Sequence, residues 1–219
     1  MTLVELLPPI LKGFSITLGV MILGALLALL MAFVAGWGKV SELKPIRYAA
    51  TIYVELFRGT SLLVQLFWLY FALPQLLGIR LSPFLAAVLT FGLHFGAYGA
   101  EVFRGAVNNI KQGQYEAAAA LSLNRIQTMR MIIVPQALVA MMPPFTNLLI
   151  ELLKATPLVS LITLADMTFQ GQLLRSETLQ SGSIFTLLLI LYFIIAILLT
   201  FAMRKLERRL SYGLDRGGA

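Results

Sequence analysis

Long apolar runs, separated by short polar stretches, constrain this chain more than any other feature of its sequence. An α-helix needs about 20 consecutive apolar residues to cross a bilayer. Only 12% of the 219 residues are charged, against about 25% in a soluble domain. The sequence therefore predicts an all-α integral membrane protein that forms one domain over residues 1–219. The predicted spans are 14–36, 52–73, 83–107, 137–153 and 184–203.

Two of these spans are less regular than the others. The second begins among polar residues at 55–60, and the fourth is short and flanked by Glu151 and Lys154. A six-span arrangement would add a helix within 157–174. That stretch is polar and interrupted by glycine, which does not suit a helix that crosses lipid alone. We therefore expect about five transmembrane helices.

Positive charges predict the orientation of the chain. The formal net charge is +7, which in a soluble protein would suggest binding to nucleic acid. In a membrane protein, however, lysine and arginine concentrate in cytoplasmic loops. Here they follow the first span and the third span, and they fill the tail at 204–219. We therefore predict a cytoplasmic C-terminus, an N-terminus outside and no nucleic-acid partner, although Lys12 argues against this orientation.

The segment 112–136, which separates the third and fourth spans, is polar and rich in helix-forming residues. Gln112 and Gly113 predict a turn, and the alanine-rich stretch that begins at Tyr115 predicts a helix. Glu116 lies in the first turn of this helix, where a carboxylate is favourable beside the helix dipole. The composition thus predicts a charged helix outside the lipid.

A second helix is predicted within the same segment. Asn124 is a favourable N-cap residue for a helix that runs through Met131. Pro135 marks the entry into the fourth span, because the residue before a proline disfavours the α conformation. We therefore predict a helical hairpin on the membrane surface. The alternative is an ordinary amphipathic connecting loop.

The same segment resembles the EAA loop of the permease subunits of bacterial ABC importers. That loop has the pattern Glu-Ala-Ala, three residues, Gly, nine residues and Ile-x-Leu-Pro. Ser122 replaces the glycine and Val134 replaces the leucine. Since serine tolerates a positive φ less well than glycine does, Ser122 argues against a sharp left-handed turn. The residues that match with their spacing kept are Glu116, Ala117, Ala118, Ile132 and Pro135.

Three further segments are similar to the polar amino acid branch of these permeases, which includes histidine, glutamine and arginine importers and importers of ectoine-like compatible solutes. Residues 57–65 resemble Arg-Gly-Thr-Pro-Leu-Leu-Val-Gln, and residues 97–105 resemble Ala-Tyr-x-Ala-Glu-x-x-Arg-Gly. Residues 154–158 resemble Lys-Asp-Thr-Ser-Leu, with Ala155 and Pro157 in place of the aspartate and the serine. These two departures suggest a ligand unlike the commonest polar amino acids.

The resemblance implies a type I ABC importer fold in the bacterial inner membrane. It also implies a second permease subunit, identical or different, two ATPase subunits, an extracytoplasmic solute-binding protein and contact with membrane lipid. ATP would bind to the partner ATPases, because this chain has no G-x-x-x-x-G-K-[ST] motif to cradle phosphate. We therefore expect no cofactor, no metal and no catalytic residue in the chain itself.

In such importers a coupling helix of the permease docks on the ATPase. Carried over by position, this helix would be 115–124, with Glu116 as its polar anchor. ATP binding would pull on it and open the pore outward, and hydrolysis would reset the pore inward. The residues assigned to coupling by the resemblance are Tyr115, Glu116, Ala117, Ala118, Leu121, Ser122 and Asn124.

Two charged residues lie within the third span. Glu101 and Arg104 are three residues apart, which places them on one face of a helix and allows an ion pair. They form either a structural pair or a gate. His94, the only histidine, is expected to be a hydrogen-bonded packing residue.

Polar residues around the fourth span are candidates for the substrate pathway. A charge inside the membrane costs about 2.5–3.5 kcal/mol on insertion scales and needs a partner or a role. Glu151 could bind an amino group of the substrate or pair with Lys154. Pro157 should break the helix and free backbone groups for binding, or the residues around it form only a re-entrant turn. The candidate pathway residues are Asn147, Glu151, Thr156, Ser160 and Asp166.

A secondary transporter or channel subunit is the alternative function. Secondary transporters usually contain internal inverted repeats, and no clear repeat is visible in this sequence.

Overall fold

The computed structural model describes residues 3–211, with the side chains of residues 5–209. Within this range the chain is helical with short connections and no β-strand, which confirms the all-α prediction. Residues 212–219 of the predicted basic tail lie outside the described residues. In chain order the α-helices are α1 (Leu3–Leu11), α2 (Phe14–Lys39), α3 (Lys44–Arg58), α4 (Leu62–Phe67), α5 (Leu73–Leu77), α6 (Pro83–Asn108), α7 (Gln112–Ala120), α8 (Arg125–Thr128), α9 (Val134–Ala155), α10 (Met167–Thr178) and α11 (Ser181–Ser211).

Four helical stretches of the described chain are long and apolar enough to cross a membrane. Each contains one of the predicted spans, and a bent pair of helices accounts for a fifth. The four stretches are Phe14–Lys39, Pro83–Asn108, Arg125–Ile162 and Ser181–Arg209.

The second predicted span, 52–73, is wrong as a continuous helix. The helix breaks after α3 and resumes at α4, and the chain bends by 102° between the two halves. Gln65 explains how the break survives in an apolar setting, because its amide donates to the carbonyl oxygens of Phe57 (2.8 Å) and Thr60 (3.2 Å). Backbone groups freed inside a membrane must find such a partner.

The stretch 157–174 does not cross the membrane. It begins as a 3₁₀ turn at Thr156–Ile162 and ends within α10, which has 12 residues. A helix of that length spans about 18 Å, well short of the roughly 30 Å of hydrocarbon. The six-span arrangement is therefore not adopted.

The core of the bundle is the close contact of α2 with α6. A Cβ atom placed on Gly92 would lie 2.4 Å from side-chain atoms of Leu27, and one on Gly36 would lie 2.7 Å from the Cβ of Phe103. Small residues at a helix interface let two backbones approach closely, which is how transmembrane helices gain packing energy in lipid. The α3 and α9 helices pack against α6, and α11 in turn packs against α9.

Candidate functional site

The first helix of the segment 112–136 differs from the prediction at both ends. We predicted a turn at Gln112 and Gly113 and a helix over 115–124, whereas α7 begins at Gln112 and ends at Ala120. Lys111 is extended and precedes the helix directly. The helix therefore includes Gly113, although glycine is a poor helix former.

A tight left-handed turn ends α7. Ser122 has a φ of +55°, so the left-handed turn that was not expected at a serine is present. The Ser122 N–H donates to the carbonyl of Ala119 (2.9 Å), and the Leu123 N–H donates to that of Ala118 (3.1 Å). This is the Schellman pattern, which satisfies carbonyls at the helix end. Serine therefore occupies a position that favours glycine, held there by two backbone hydrogen bonds.

The predicted cap of the second helix is present. Asn124 accepts from the Gln127 N–H, and the Gln127 side chain accepts from the Asn124 N–H, both at 2.9 Å. This reciprocal capping box fixes the start of α8.

The predicted hairpin on the membrane surface is wrong, however, because the helical stretch that begins with α8 continues past Pro135 to Ile162. A π-helical turn at Met129–Ile133 joins α8 to α9. In a regular helix the proline ring would collide with the carbonyl four residues earlier, and the wider π turn relieves that contact. The helix therefore continues from the exposed loop into the fourth span.

The segment 112–136 has an exposed face that is only partly polar. Glu116 is exposed, and Leu121 keeps 71% of its accessible surface although it is a large apolar residue. Tyr115 instead packs against the buried apolar cluster that includes Phe103 of α6, and Ala118 is fully buried. Most of the predicted coupling residues thus share one accessible surface, while two anchor the helix. The exposed ones are Glu116, Ala117, Leu121, Ser122 and Asn124.

Three charged side chains form a cluster between α2 and α6. Glu101 accepts from the Nε of Arg104 (3.0 Å) and from its terminal nitrogen (2.8 Å), so the predicted contact is present. Lys39 forms a second ion pair with Glu101. The side chains of Lys39 and Glu101 are only 11% and 16% exposed, while that of Arg104 is 42% exposed. Sequence reasoning missed Lys39.

The five candidate pathway residues fall into two groups. Asn147 and Glu151, four residues apart, lie exposed on one face of α9. Lys154 is also exposed, and among the described residues it forms no ion pair with Glu151. Both members of this pathway group are therefore accessible from outside the subunit.

The other three candidates are buried and hydrogen-bonded within the chain. The Thr156 hydroxyl donates to the Leu153 carbonyl and the Ser160 hydroxyl to the Pro157 carbonyl, each at 2.8 Å. Their polar atoms have local partners, as the re-entrant turn alternative expects.

Asp166 is fully buried at the start of α10. It accepts from the Phe169 N–H (2.9 Å) and from the Tyr192 hydroxyl (3.2 Å). Burial raises the pKa of the Asp166 carboxyl, and the hydrogen bonds oppose that rise. Asp166 therefore caps α10 and ties it to α11.

His94 has the packing environment that the sequence predicts. Its Nδ1 lies 3.0 Å from the Gln65 Oε1, and its ring meets that of Phe95 edge-on. Gln65 thus bridges α6 and the break after α3. No group of three or more potential metal ligands occurs among residues 3–211.

The sequence matches the family described as binding-protein-dependent transport system inner membrane component over residues 28–212. It is 44% identical to the probable amino-acid ABC transporter permease protein y4tF of Sinorhizobium fredii, over 93% of this chain and 87% of that protein. It is 37% identical to the glutamine transport system permease protein GlnP of Escherichia coli, over 94% of both chains. The arginine transport system permease protein ArtQ of Bacillus subtilis is 34% identical over 94% of both chains.

Solved structures of ABC transporters are also similar to this chain. The crystal structure of an amino acid ABC transporter with histidines superposes with a TM-score of 0.87 and 32% identity, over 94% of this chain and 96% of that one. An inward-facing MetNI methionine ABC transporter superposes with a TM-score of 0.79 and 18% identity, over 94% and 98% of the two chains. This second likeness concerns the fold.

Proposed function

This chain belongs to the family of binding-protein-dependent transport system inner membrane components, and we propose that it imports a polar amino acid or a related small zwitterionic solute as the permease subunit of an ATP-driven transporter. The observation that carries the proposal is the identity to amino-acid permeases along almost the whole chain. The type I ABC importer fold expected from the sequence is confirmed by the likeness to the transporter with histidines. A secondary transporter or channel subunit is not favoured, because these relatives and neighbours belong to transport systems of the ABC type.

The segment 112–136 is the surface proposed to receive the partner ATPase. Its exposed Glu116 and Leu121 combine a charge with an apolar side chain, which suits a protein interface. Below them α8 passes without a break into α9. A pull on this segment by the ATPase would therefore reach the fourth span directly. In this proposal ATP binds to the ATPase, and the segment 112–136 transmits the resulting movement to the fourth span.

The orientation proposed for the chain follows its charges. Lys39, the segment 112–136 and the end of α11 carry the excess of lysine and arginine, so this end of the bundle faces the cytoplasm. The N-terminus and α10 then lie outside. There the solute-binding protein delivers substrate to a pair of permease subunits.

The proposed pathway runs along the exposed polar face of α9. Glu151 and Asn147 lie on this face, and a carboxylate here suits the amino group of a zwitterion. The substrate class rests on this residue and on relatives that carry glutamine and arginine by name. An ectoine-like solute is included in the same class.

The direct test is the Glu116→Lys variant in proteoliposomes that contain the whole transporter. We expect substrate-stimulated ATPase activity to be abolished while membrane insertion is unchanged, because the reversed charge repels the ATPase surface that receives Glu116. Glu177→Lys makes the same change at an exposed glutamate of α10, outside the segment 112–136, and should leave coupling intact. Normal coupling in the Glu116 variant would refute the assignment of the coupling helix.

The substrate is tested separately. A thermal-shift screen of the cognate binding protein with amino acids and osmolytes, followed by uptake of the same compounds, identifies what the transporter carries. Uptake of none of the amino acids and zwitterions in the screen would contradict the proposed substrate class.

A further inference from the structure

An apolar groove runs along one side of the bundle, between α2, α9 and α11. It encloses about 460 Å³, and every described residue that lines it is apolar. On α2 the lining runs from Met21 to Phe33, which is 12 residues (33 − 21), or about 18 Å along the helix axis. One leaflet contributes about half of the roughly 30 Å of hydrocarbon in a bilayer. The groove therefore has about the length of one leaflet.

The composition and size of the groove favour a hydrocarbon chain as its occupant. No charged residue occurs in α2 before Lys39, in α9 before Glu151 or in α11 before Arg204, so the walls offer no charge to a polar ligand. A helix about 10 Å across would fill roughly 1,400 Å³ over the same length, which is more than the groove holds. A single acyl chain of a phospholipid is thin and flexible enough to enter.

An arginine of α11 stands at the cytoplasmic end of this groove. Met203 and Leu206 line the groove, and Arg209 follows three residues after Leu206 on the same side of the helix. Arg209 is exposed and forms no ion pair among the described residues. Glu207 lies two residues before it, on a different side of the helix.

A second arginine reaches the same end from the start of the fourth span. Arg130 lies in the π turn Met129–Ile133, and Leu138 of α9 lines the groove. Because a π turn holds an extra residue, the eight residues (138 − 130) that separate them complete about two turns, or about 11 Å. Arg130 therefore lies on the groove side of the helix. Its side chain is exposed and forms no ion pair within the described part of the chain.

An aromatic side chain marks the membrane surface at this end. Trp37 lies one turn beyond Phe33 on α2 and is 48% exposed, while its ring centre is 6.1 Å from that of Phe103. Tryptophan is enriched where hydrocarbon meets the headgroups. The mouth of the groove thus combines an interfacial ring with two cationic side chains.

We propose that the groove holds one acyl chain of an anionic phospholipid of the cytoplasmic leaflet, with the lipid phosphate bound by Arg130 and Arg209. A guanidinium presents two parallel N–H donors that match phosphate oxygens. Basic pockets between transmembrane helices on the cytoplasmic side suit acidic headgroups. The inference does not depend on the transported solute, and only the choice of leaflet rests on the proposed orientation. The lipid would contact the turn that joins the segment 112–136 to the fourth span.

The experiment uses brominated acyl chains, which quench the fluorescence of a tryptophan that they contact. The permease–ATPase complex carries Trp68→Phe, so that Trp37 is the only tryptophan of this chain. It is placed in vesicles that contain both phosphatidylcholine and phosphatidylglycerol. One series brominates the first lipid and a second series brominates the other, and the two quenching curves give the relative affinity of the lipids at Trp37. Any tryptophan of the ATPase lies outside the hydrocarbon and adds a constant background.

Four variants change the proposed contacts. Arg130→Gln and Arg209→Gln each remove one positive charge, and Arg130→Lys keeps it. Ala25→Phe fills the groove, because Ala25 is part of its lining. Arg209 is exposed in the last turn of α11, so its variant tests the inference even if a change at Arg130 disturbs assembly.

Two further variants serve as matched controls. Arg208→Gln removes an exposed arginine that lies two residues after Leu206 and so faces away from the groove. Ala49→Phe adds the same ring at an exposed position of α3 that does not line the groove.

We expect phosphatidylglycerol to bind at Trp37 about fivefold to thirtyfold more tightly than phosphatidylcholine, the worth of one to two arginines near a membrane surface. Each glutamine variant at Arg130 or Arg209 should lower this preference by about fivefold, and Arg130→Lys should keep it. Ala25→Phe should reduce quenching by both lipids, because the chain can no longer enter. Both controls should behave like the wild type.

Three results would overturn the inference. The first is equal affinity of the two lipids in the wild type, and the second is a preference that survives both glutamine variants. The third is a Trp37 that neither lipid quenches, since the groove would then be covered by protein, such as a second permease subunit. None of these results touches the proposed function, which is judged by uptake.

Discussion

Lys39, in the last turn of α2, forms an ion pair with Glu101 of α6, 62 residues further along the chain. Glu101 also binds Arg104 on its own helix. Both Lys39 and Glu101 are nearly buried, so the cluster joins the ends of the two helices that form the core of the bundle. Because only residues 109–111 separate α6 from α7, this joint also supports the base of the segment 112–136.

Lys39→Met should destabilise the permease. The variant keeps most of the apolar stem of the side chain but leaves Glu101 with one cationic partner instead of two. We therefore expect the free energy of unfolding to fall by about 1–3 kcal/mol. Thermal unfolding in detergent should show a lower Tm. Lys44→Met is the matched control, since Lys44 is exposed and forms no ion pair among the described residues. The double variant Lys39→Met, Glu101→Gln should recover part of the loss, because it leaves no under-neutralised carboxylate.

Ser122→Gly should stabilise the turn after α7. A non-glycine residue at a φ of +55° carries a cost of about 1–2 kcal/mol, while glycine loses about 0.5–1 kcal/mol of chain entropy. We therefore expect a net gain of up to about 1.5 kcal/mol. Amide hydrogen exchange should be slower at Leu123, whose N–H closes the turn. Ser122→Ala keeps the Cβ atom and should show no gain. Faster hydrogen exchange of the Leu123 amide in Ser122→Gly would contradict the prediction that the turn is strained at residue 122.

The local parts of the candidate site could be predicted from the sequence. Glu101 and Arg104 are three residues apart, and Asn124 is three residues before Gln127, so helical spacing alone brings each pair together. Lys39 could not be found this way, because its contact with Glu101 depends on how α2 packs on α6. The membrane spans could be predicted for a similar reason. Each apolar run lies within a single helix, so it can be recognised without knowing how the helices pack.

Two of the wrong predictions, the continuous second span and the absence of a left-handed turn at Ser122, have a common physical origin. A continuous second span was predicted because 52–73 is apolar, but the cost of breaking it is offset by Gln65, whose side chain replaces the lost backbone partners. A left-handed turn at Ser122 was not expected because of its side chain, but two backbone hydrogen bonds hold it there. In both places hydrogen-bond partners decide the backbone conformation, against the conformational propensity of the local sequence.

Gly13→Ala should disrupt the contact between the α1–α2 connection, where Gly13 lies, and the start of α10. A Cβ atom at Gly13 would lie 2.2 Å from the carbonyl carbon of Asp166, and backbone cannot move aside as a flexible side chain can. We expect a loss of about 1–3 kcal/mol from overpacking, seen as a lower Tm and less protein in the membrane. Gly182→Ala is the control, because nothing lies within 4 Å of its added Cβ atom. Equal Tm values for the two variants would contradict this prediction, because the backbone around Gly13 and Asp166 would then have moved apart at little cost in stability.

Glu151→Gln should change transport while leaving the fold intact. Glu151 is exposed on α9 and makes no ion pair among the described residues, so its removal costs the fold little. If its carboxylate meets the amino group of the substrate, the neutral variant should raise the KM for uptake by about tenfold or more. The effect should be largest for cationic substrates such as arginine, which carry a second positive charge. Uptake into proteoliposomes at several substrate concentrations gives the measurement.

The matched control is Glu177→Gln, which removes the charge of an exposed glutamate on α10. Uptake by this variant should equal that of the wild type, since α10 is not part of the proposed pathway. A fall in the maximal rate of Glu151→Gln with an unchanged KM would assign Glu151 to the conformational step, because substrate binding would then be intact. Kinetics that match the wild type for every substrate would remove Glu151 from the pathway, and the exposed face of α9 would then serve contact between subunits or with lipid.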